Sequence, residues 1–143
     1  MKVAAALLTY TASLRVTPTG AGICGGVLIS PTHVLTAGHC FYLNFLKYVS
    51  VGSHFLSGDS DGERILIKNG TRHPKYINDS VLAYNYAILE LETPSKFTPV
   101  KLLSADSETF VGKNATAMGW GRENKLAKDS ARDCTGGWSR SPK

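Results

Sequence analysis

Two cysteines bracket the stretch that most restricts this chain: Cys24-Gly25-Gly26-Val27-Leu28-Ile29-Ser30-Pro31-Thr32-His33-Val34-Leu35-Thr36-Ala37-Gly38-His39-Cys40. Between them lie two apolar runs, residues 27–29 and 34–36, rich in the residue types that suit a pleated, half-buried strand. Ser30-Pro31-Thr32 separates the runs and carries turn chemistry, because proline presets φ and removes a backbone donor. The pattern predicts a hairpin. A disulfide between its ends would clamp it and fix where His39, the neighbour of Cys40, can point.

The rest of the chain repeats the theme of short strands and turns. Residues 10–16, 47–52, 63–68, 84–92 and 115–120 read as strands, with 84–92 the most buried through Ala87, Ile88, Leu89 and Leu91. Residues 17–22, 53–62 and 73–76 read as turns or loops, the last a surface turn. The greasy loop that follows Cys40, residues 41–46, is expected to pack beneath the cystine, with a partner-facing patch as the alternative. This spacing predicts an all-β barrel or sandwich. No long helical periodicity and no internal repeat interrupts it, and no stretch is long enough to span a membrane as a helix.

The 143 residues suffice for one domain, and 43% hydrophobic with 19% charged residues marks a globular chain rather than a disordered one. The net charge is +5, but the cations are scattered (Lys2, Arg15, Lys47, Arg64, Lys68, Arg72, Lys75) and concentrate only in residues 122–143. Without a basic stripe interleaved with aromatics, nucleic acid is not an expected partner. A basic surface still steers acidic partners.

The Gly-Gly-Val-Leu-Ile-Ser and Leu-Thr-Ala-Gly-His-Cys pieces, in this order and at this separation, resemble the catalytic-histidine segment of the trypsin-like (chymotrypsin-fold, peptidase S1) serine proteases. The resemblance implies a Greek-key β-barrel, a Cys24–Cys40 disulfide, and a site built from histidine, aspartate and serine in that chain order. It covers residues 10–121, which would hold an essentially complete first barrel and a truncated second one. Residues 1–9 are a partial signal-like segment, with no activation sequence after them, and residues 122–143 a divergent basic tail. Ala117-Met118-Gly119-Trp120-Gly121 resembles the Gly-Trp-Gly that opens the second barrel, and residues 122–133 are too few to build the rest of it before Cys134.

His39 matches the family's general base. The family's aspartate strand runs Asp, apolar, Ala, then two aliphatics; here it reads Asn85-Tyr86-Ala87-Ile88-Leu89. Asn85 therefore stands at the aspartate position, and Asp79 and Glu90 lie at the wrong offsets to replace it. An amide carries no charge to stabilise an imidazolium, and this exchange alone lowers turnover by about 10⁴. The nucleophile motif, Gly-Asp-Ser-Gly-Gly-Pro, is approximated only by Cys134-Thr135-Gly136-Gly137-Trp138, as if its Asp-Ser pair were removed; Ser130, Ser139 and Ser141 match nothing. The resemblance thus implies a pseudoprotease in which His39 and Asn85 are remnant triad positions and the serine is absent, with neither cofactor nor metal.

The three cysteines and the sequons at Asn69, Asn78 and Asn114 fit an oxidising, secretory setting, with Cys134 left over, exposed and idle. The segments Lys47-Tyr48-Val49-Ser50-Val51-Gly52-Ser53-His54, His73-Pro74-Lys75-Tyr76 and Pro94-Ser95-Lys96-Phe97-Thr98-Pro99 resemble more narrowly the trypsin-like proteins secreted by oomycete plant pathogens, among them the glucanase inhibitor proteins. That resemblance implies a host endo-β-1,3-glucanase in the plant apoplast as protein partner, and capture of it as the function. Tyr42, Phe45, Tyr48, Phe55, Tyr76 and Tyr84 are candidate aromatic anchors. The alternatives are an active trypsin-like endopeptidase, or a truncated product without a stable fold.

Overall fold

The computed structural model describes residues 9–41, 45–77, 83–104, 114–121 and 135–140, the side chains of 114, 115 and 135–140 excepted. Strands β1 (Thr11–Arg15), β2 (Cys24–Ser30), β3 (His33–Thr36), β4 (Tyr48–Val51), β5 (Glu63–Arg72) and β6 (Ala87–Leu91) close into a barrel in the order β1-β2-β3-β6-β5-β4. Every neighbouring pair is antiparallel. After the β1-β2-β3 meander the chain crosses back to lay β4 beside β1, the Greek-key connection. Closure leaves no unpaired edge among these strands.

Period-two alternation fills the interior. Ala12 and Leu14 of β1, Leu28 of β2, Val34 of β3, Val49 and Val51 of β4, Ile65 of β5, and Leu89 and Leu91 of β6 form one buried cluster with Cys40 and Leu46. Leu46 and the partly buried Phe41 do pack from the greasy loop into this core, while Phe45 stays 38% exposed.

Three sequence expectations need correction. The strand expected over 84–92 begins only at Ala87, and Ile88 faces outward at 39% exposure, because the alternation that buries Ala87, Leu89 and Leu91 turns it away from the core. Strand β5 runs to Arg72, four residues past its expected end; a bulge between Ile67 and Asn69 shifts the register, so that Asn69, Gly70, Thr71 and Arg72 go on pairing with β6. A further strand, β8 (Thr135–Arg140), pairs antiparallel with β7 (Asn114–Gly119), with Thr135 opposite Gly119. The tail therefore supplies a ladder partner that its composition did not suggest.

Arg15 is the least expected core residue. All five residues of β1 are buried, and Arg15 has no exposed surface. Its guanidinium donates to the carbonyls of Gly58 (2.6 Å) and Phe55 (3.1 Å). Arg64 donates to the Gly58 carbonyl as well, at 2.6 Å, and Asp61 accepts from the Ser53 hydroxyl at 2.8 Å. Burial, then the nearby Arg64, pushes the Arg15 guanidinium below its ordinary range, and Asp61 opposes the shift. The loop of residues 53–62 is thus tied to the barrel through the buried Arg15 guanidinium. Trp120, 7% exposed, caps the same loop: it packs on Leu56 and Met118, and its indole N–H donates to the His54 carbonyl at 3.0 Å.

Candidate functional site

His39 leaves the hairpin at a defined place. Strand β3 ends at Thr36, and a single 3-10 turn, Gly38–Phe41, carries His39 outward and Cys40 inward. The Cys24–Cys40 disulfide joins the start of β2 to this turn, with Cα atoms 6.1 Å apart. The imidazole is thus held next to a covalent anchor but remains exposed.

Asn85 reaches the same point from the segment ahead of the neighbouring strand β6. Strands β3 and β6 pair with Thr36 opposite Ala87, so the residues just before β6 lie alongside the turn that follows β3. Asn85 Oδ1 accepts the backbone N–H of His39 at 2.9 Å. Its amide nitrogen lies 3.0 Å from His39 Nδ1, and Oδ1 lies 3.3 Å from the same atom. A peptide N–H only donates, so it settles which end of the amide is the oxygen. The amide NH2 is then the closer partner of Nδ1, placed to donate to it. With Nδ1 accepting, a neutral imidazole carries its proton on Nε2. In that tautomer the outward nitrogen already carries a hydrogen and cannot take one from a nucleophile.

Gly38 lets these groups approach. A Cβ there would lie 3.2 Å from the Tyr76 ring and 3.3 Å from Asn85 Oδ1. Tyr76 is 8% exposed in this contact. The expected surface turn over 73–76 thus buries its last residue, which removes Tyr76 from the outward-facing anchors. Cys24, His39 and Cys40 bring three potential metal-binding atoms within 4.8 Å, but both sulfurs are joined to each other, and a disulfide sulfur is not the thiolate a metal takes. A cavity of about 350 Å³ opens beside the disulfide, between Cys24, Gly25 and Gly26 on one side and Met118, Trp120 and Gly121 on the other.

Of the remaining expected sites, Asn69 is exposed on β5 with its Oδ1 accepting the Gly70 N–H at 2.8 Å, and Asn114 begins β7. Asn78, Tyr42, Cys134, Ser130, Ser141 and the leading residues 1–8 lie outside the described residues, and Ser139 falls in β8. Tyr48 is half-buried, whereas Phe55 and Tyr84 are 42% and 48% exposed. Two residues beside the site went unremarked in the sequence, Tyr86 and His73. The signal was present: aromatics flank Asn85 on both sides, where only one of three consecutive side chains can face the histidine.

Comparison with known proteins adds the following. The family model described as Trypsin matches residues 2–135. Glucanase inhibitor protein 2 of Phytophthora infestans is 49% identical over 114 residues, covering 79% of this chain and 44% of that protein. Glucanase inhibitor protein 3 of Phytophthora sojae (strain P6497) is 40% identical over 159 residues, covering 90% and 60%. A trypsin of Saccharopolyspora erythraea is 32% identical over 118 residues, covering 81% and 51%. Among solved structures, neuropsin, a serine protease expressed in the limbic system of mouse brain, superposes with a TM-score of 0.78 at 23% identity, over 96% of this chain and 61% of that one, a likeness of fold. The chain spans about half the length of the relatives it matches.

Proposed function

The chain belongs to the trypsin family, and from that membership we propose that it acts by binding rather than by cutting peptides, as a secreted inhibitor of plant endo-β-1,3-glucanase. The observation that carries the reading is the His39–Asn85 pair. The scaffold that presents a general base is in place, yet the side chain facing its Nδ1 is an amide, with the nitrogen at 3.0 Å. A base held in this tautomer is not the one peptide hydrolysis uses, and among the described residues no carboxylate stands behind it to stabilise an imidazolium.

The relatives named glucanase inhibitor proteins, 40% and 49% identical, supply the target class. In this reading the protein is exported to the apoplast with Cys24–Cys40 oxidised and its sequons open to glycosylation. Residues 10–121 form the trypsin-like unit and residues 122–143 its tail. By capturing the host enzyme it limits release of the glucan fragments that elicit defence.

The test is laminarin hydrolysis by a purified plant endo-β-1,3-glucanase with and without excess oxidised protein. Dose-dependent inhibition is expected, together with no labelling by a fluorophosphonate probe. Undiminished laminarin hydrolysis rejects the inhibitor reading, and covalent labelling favours an endopeptidase.

A further inference from the structure

The residues on either side of Asn85 carry information that the triad comparison does not use. Tyr84 has φ +57°, in the left-handed region that a bulky L-residue rarely enters. A side chain kept there despite the strain marks a place where position matters more than local stability. Tyr84 is 48% exposed and Tyr86 43%. His73 binds them into one object: its ring stacks on Tyr84 with centroids 4.7 Å apart and planes 12° apart, and meets Tyr86 at 4.8 Å and 47°. The backbone is equally tied. The His73 N–H donates to the Tyr86 carbonyl at 3.0 Å, and the Tyr86 N–H to the Tyr84 carbonyl at 2.8 Å. Ile88, two residues past Tyr86 on the outward side of β6, extends the apolar surface. Lys75 Nζ lies 5.6 Å from the Tyr84 ring, and Arg72 adjoins His73 in sequence.

Exposed tyrosines held rigid before any partner arrives are what a protein-binding hot spot needs, because little side-chain entropy remains to be lost. Lys75 at the border selects for carboxylates opposite. Resting on the function proposed above, we infer that the Tyr84–His73–Tyr86 cluster with Ile88 is the surface that docks the glucanase, on a face of that enzyme rimmed by acidic residues. The neighbouring His39–Asn85 pair then serves as a structural clamp: its hydrogen bonds hold the segment from which both tyrosines project.

Surface plasmon resonance with a purified plant endo-β-1,3-glucanase tests this. Tyr84→Gly removes the ring and suits the left-handed backbone, so it folds at least as well as the parent; Tyr86→Ala is the second variant. Each is expected to weaken binding by roughly 30-fold or more. Phe55→Ala, an equally exposed aromatic on the loop between β4 and β5, is expected to weaken it by less than about 3-fold. The association rate should fall with added salt, and less steeply in Lys75→Gln.

Unchanged affinity in both tyrosine variants, or equal loss in Phe55→Ala, overturns this assignment while leaving the inhibitor reading in place. No binding by the parent protein overturns both. If the variants instead lose binding to laminarin oligosaccharides, or abolish a dimer seen by sedimentation, the surface belongs to a sugar or to a second copy, and the assignment falls.

Discussion

Asn85 Oδ1 accepts the backbone N–H of His39, which leaves the Asn85 amide nitrogen 3.0 Å from His39 Nδ1. The side chain cannot turn over without setting NH2 against N–H, so the amide nitrogen stays the nearer partner of His39 Nδ1. Nitrogen-15 NMR of selectively labelled protein should show the Nε2–H form of His39. Asn85→Asp should convert it to the Nδ1–H form, because a carboxylate only accepts. Finding Nδ1–H in the parent protein would show the amide arrangement to be wrong.

The disulfide closes a loop with a sequence separation of 16. Restricting the unfolded chain over that length contributes about 3 kcal/mol in the chain-entropy account. The Cys24→Ala/Cys40→Ala double variant should lose about that much in urea denaturation. A loss under about 1 kcal/mol would mean that the barrel alone holds the hairpin.

Arg15 is a structural cation. Arg15→Met keeps the length of the stem but withdraws the donors facing Phe55 and Gly58, for an expected cost of about 2–3 kcal/mol. Arg15→Lys should recover little, because one ammonium does not reproduce the planar fork that reaches two carbonyls. Denaturation midpoints of the two variants decide this: a lysine variant as stable as the parent would contradict it.

On the outer face of the barrel, Lys68 Nζ lies 2.6 Å from Glu90 Oε1. Hydrogen bonding to Lys68 lowers the Glu90 carboxyl below its ordinary range, and Glu90 in turn raises Lys68 above its own. A lowered carboxylate contributes stability above its unfolded-state value and loses it as pH falls through its folded-state value. A raised lysine contributes below its unfolded-state value and loses its share as pH rises through its folded-state value. The pair therefore helps between those limits, weakly, because both groups are exposed and salt screens them. In Lys68→Gln, the Glu90 titration followed by NMR should move up toward that of an ordinary glutamate. No movement would show that the pair does not persist in solution.

Gly52 has φ +68°, and a Cβ placed there would lie 2.6 Å from the Phe97 ring. Gly52→Ala therefore meets both a strained backbone and a packed ring, and should destabilise the barrel by roughly 2 kcal/mol. Pairing it with Phe97→Leu should return part of the loss if the steric contact is the larger share. The double-variant cycle measures that share.

The sequence reading followed the chemistry of each element. The hairpin of β2 and β3 was legible because apolar runs and a Ser-Pro-Thr turn declare themselves locally, and β1 and β4 were legible from alternation. Ile88 was misread as buried because an unbroken Ala-Ile-Leu run looks the same from outside whether one face or both are covered. Arg15 was only counted among the scattered cations, since nothing in its neighbours announces the carbonyls of a loop 40 and 43 residues away. The continuation of β5 past Lys68 was hidden by Asn69-Gly70, residues that favour turns in isolation and are kept extended here by pairing with β6.

What the residues determined alone was the alphabet of short strands, the hairpin that ends on His39 and Cys40, and the amide at position 85. What only the folded chain decided was that positions 39 and 85, 46 residues apart, meet with the amide nitrogen toward the ring, and that two tyrosines face outward beside them. Turn and strand propensities act over a few residues. The register between β3 and β6 is imposed by closing six strands around one core, a condition that no single segment can satisfy or reveal by itself.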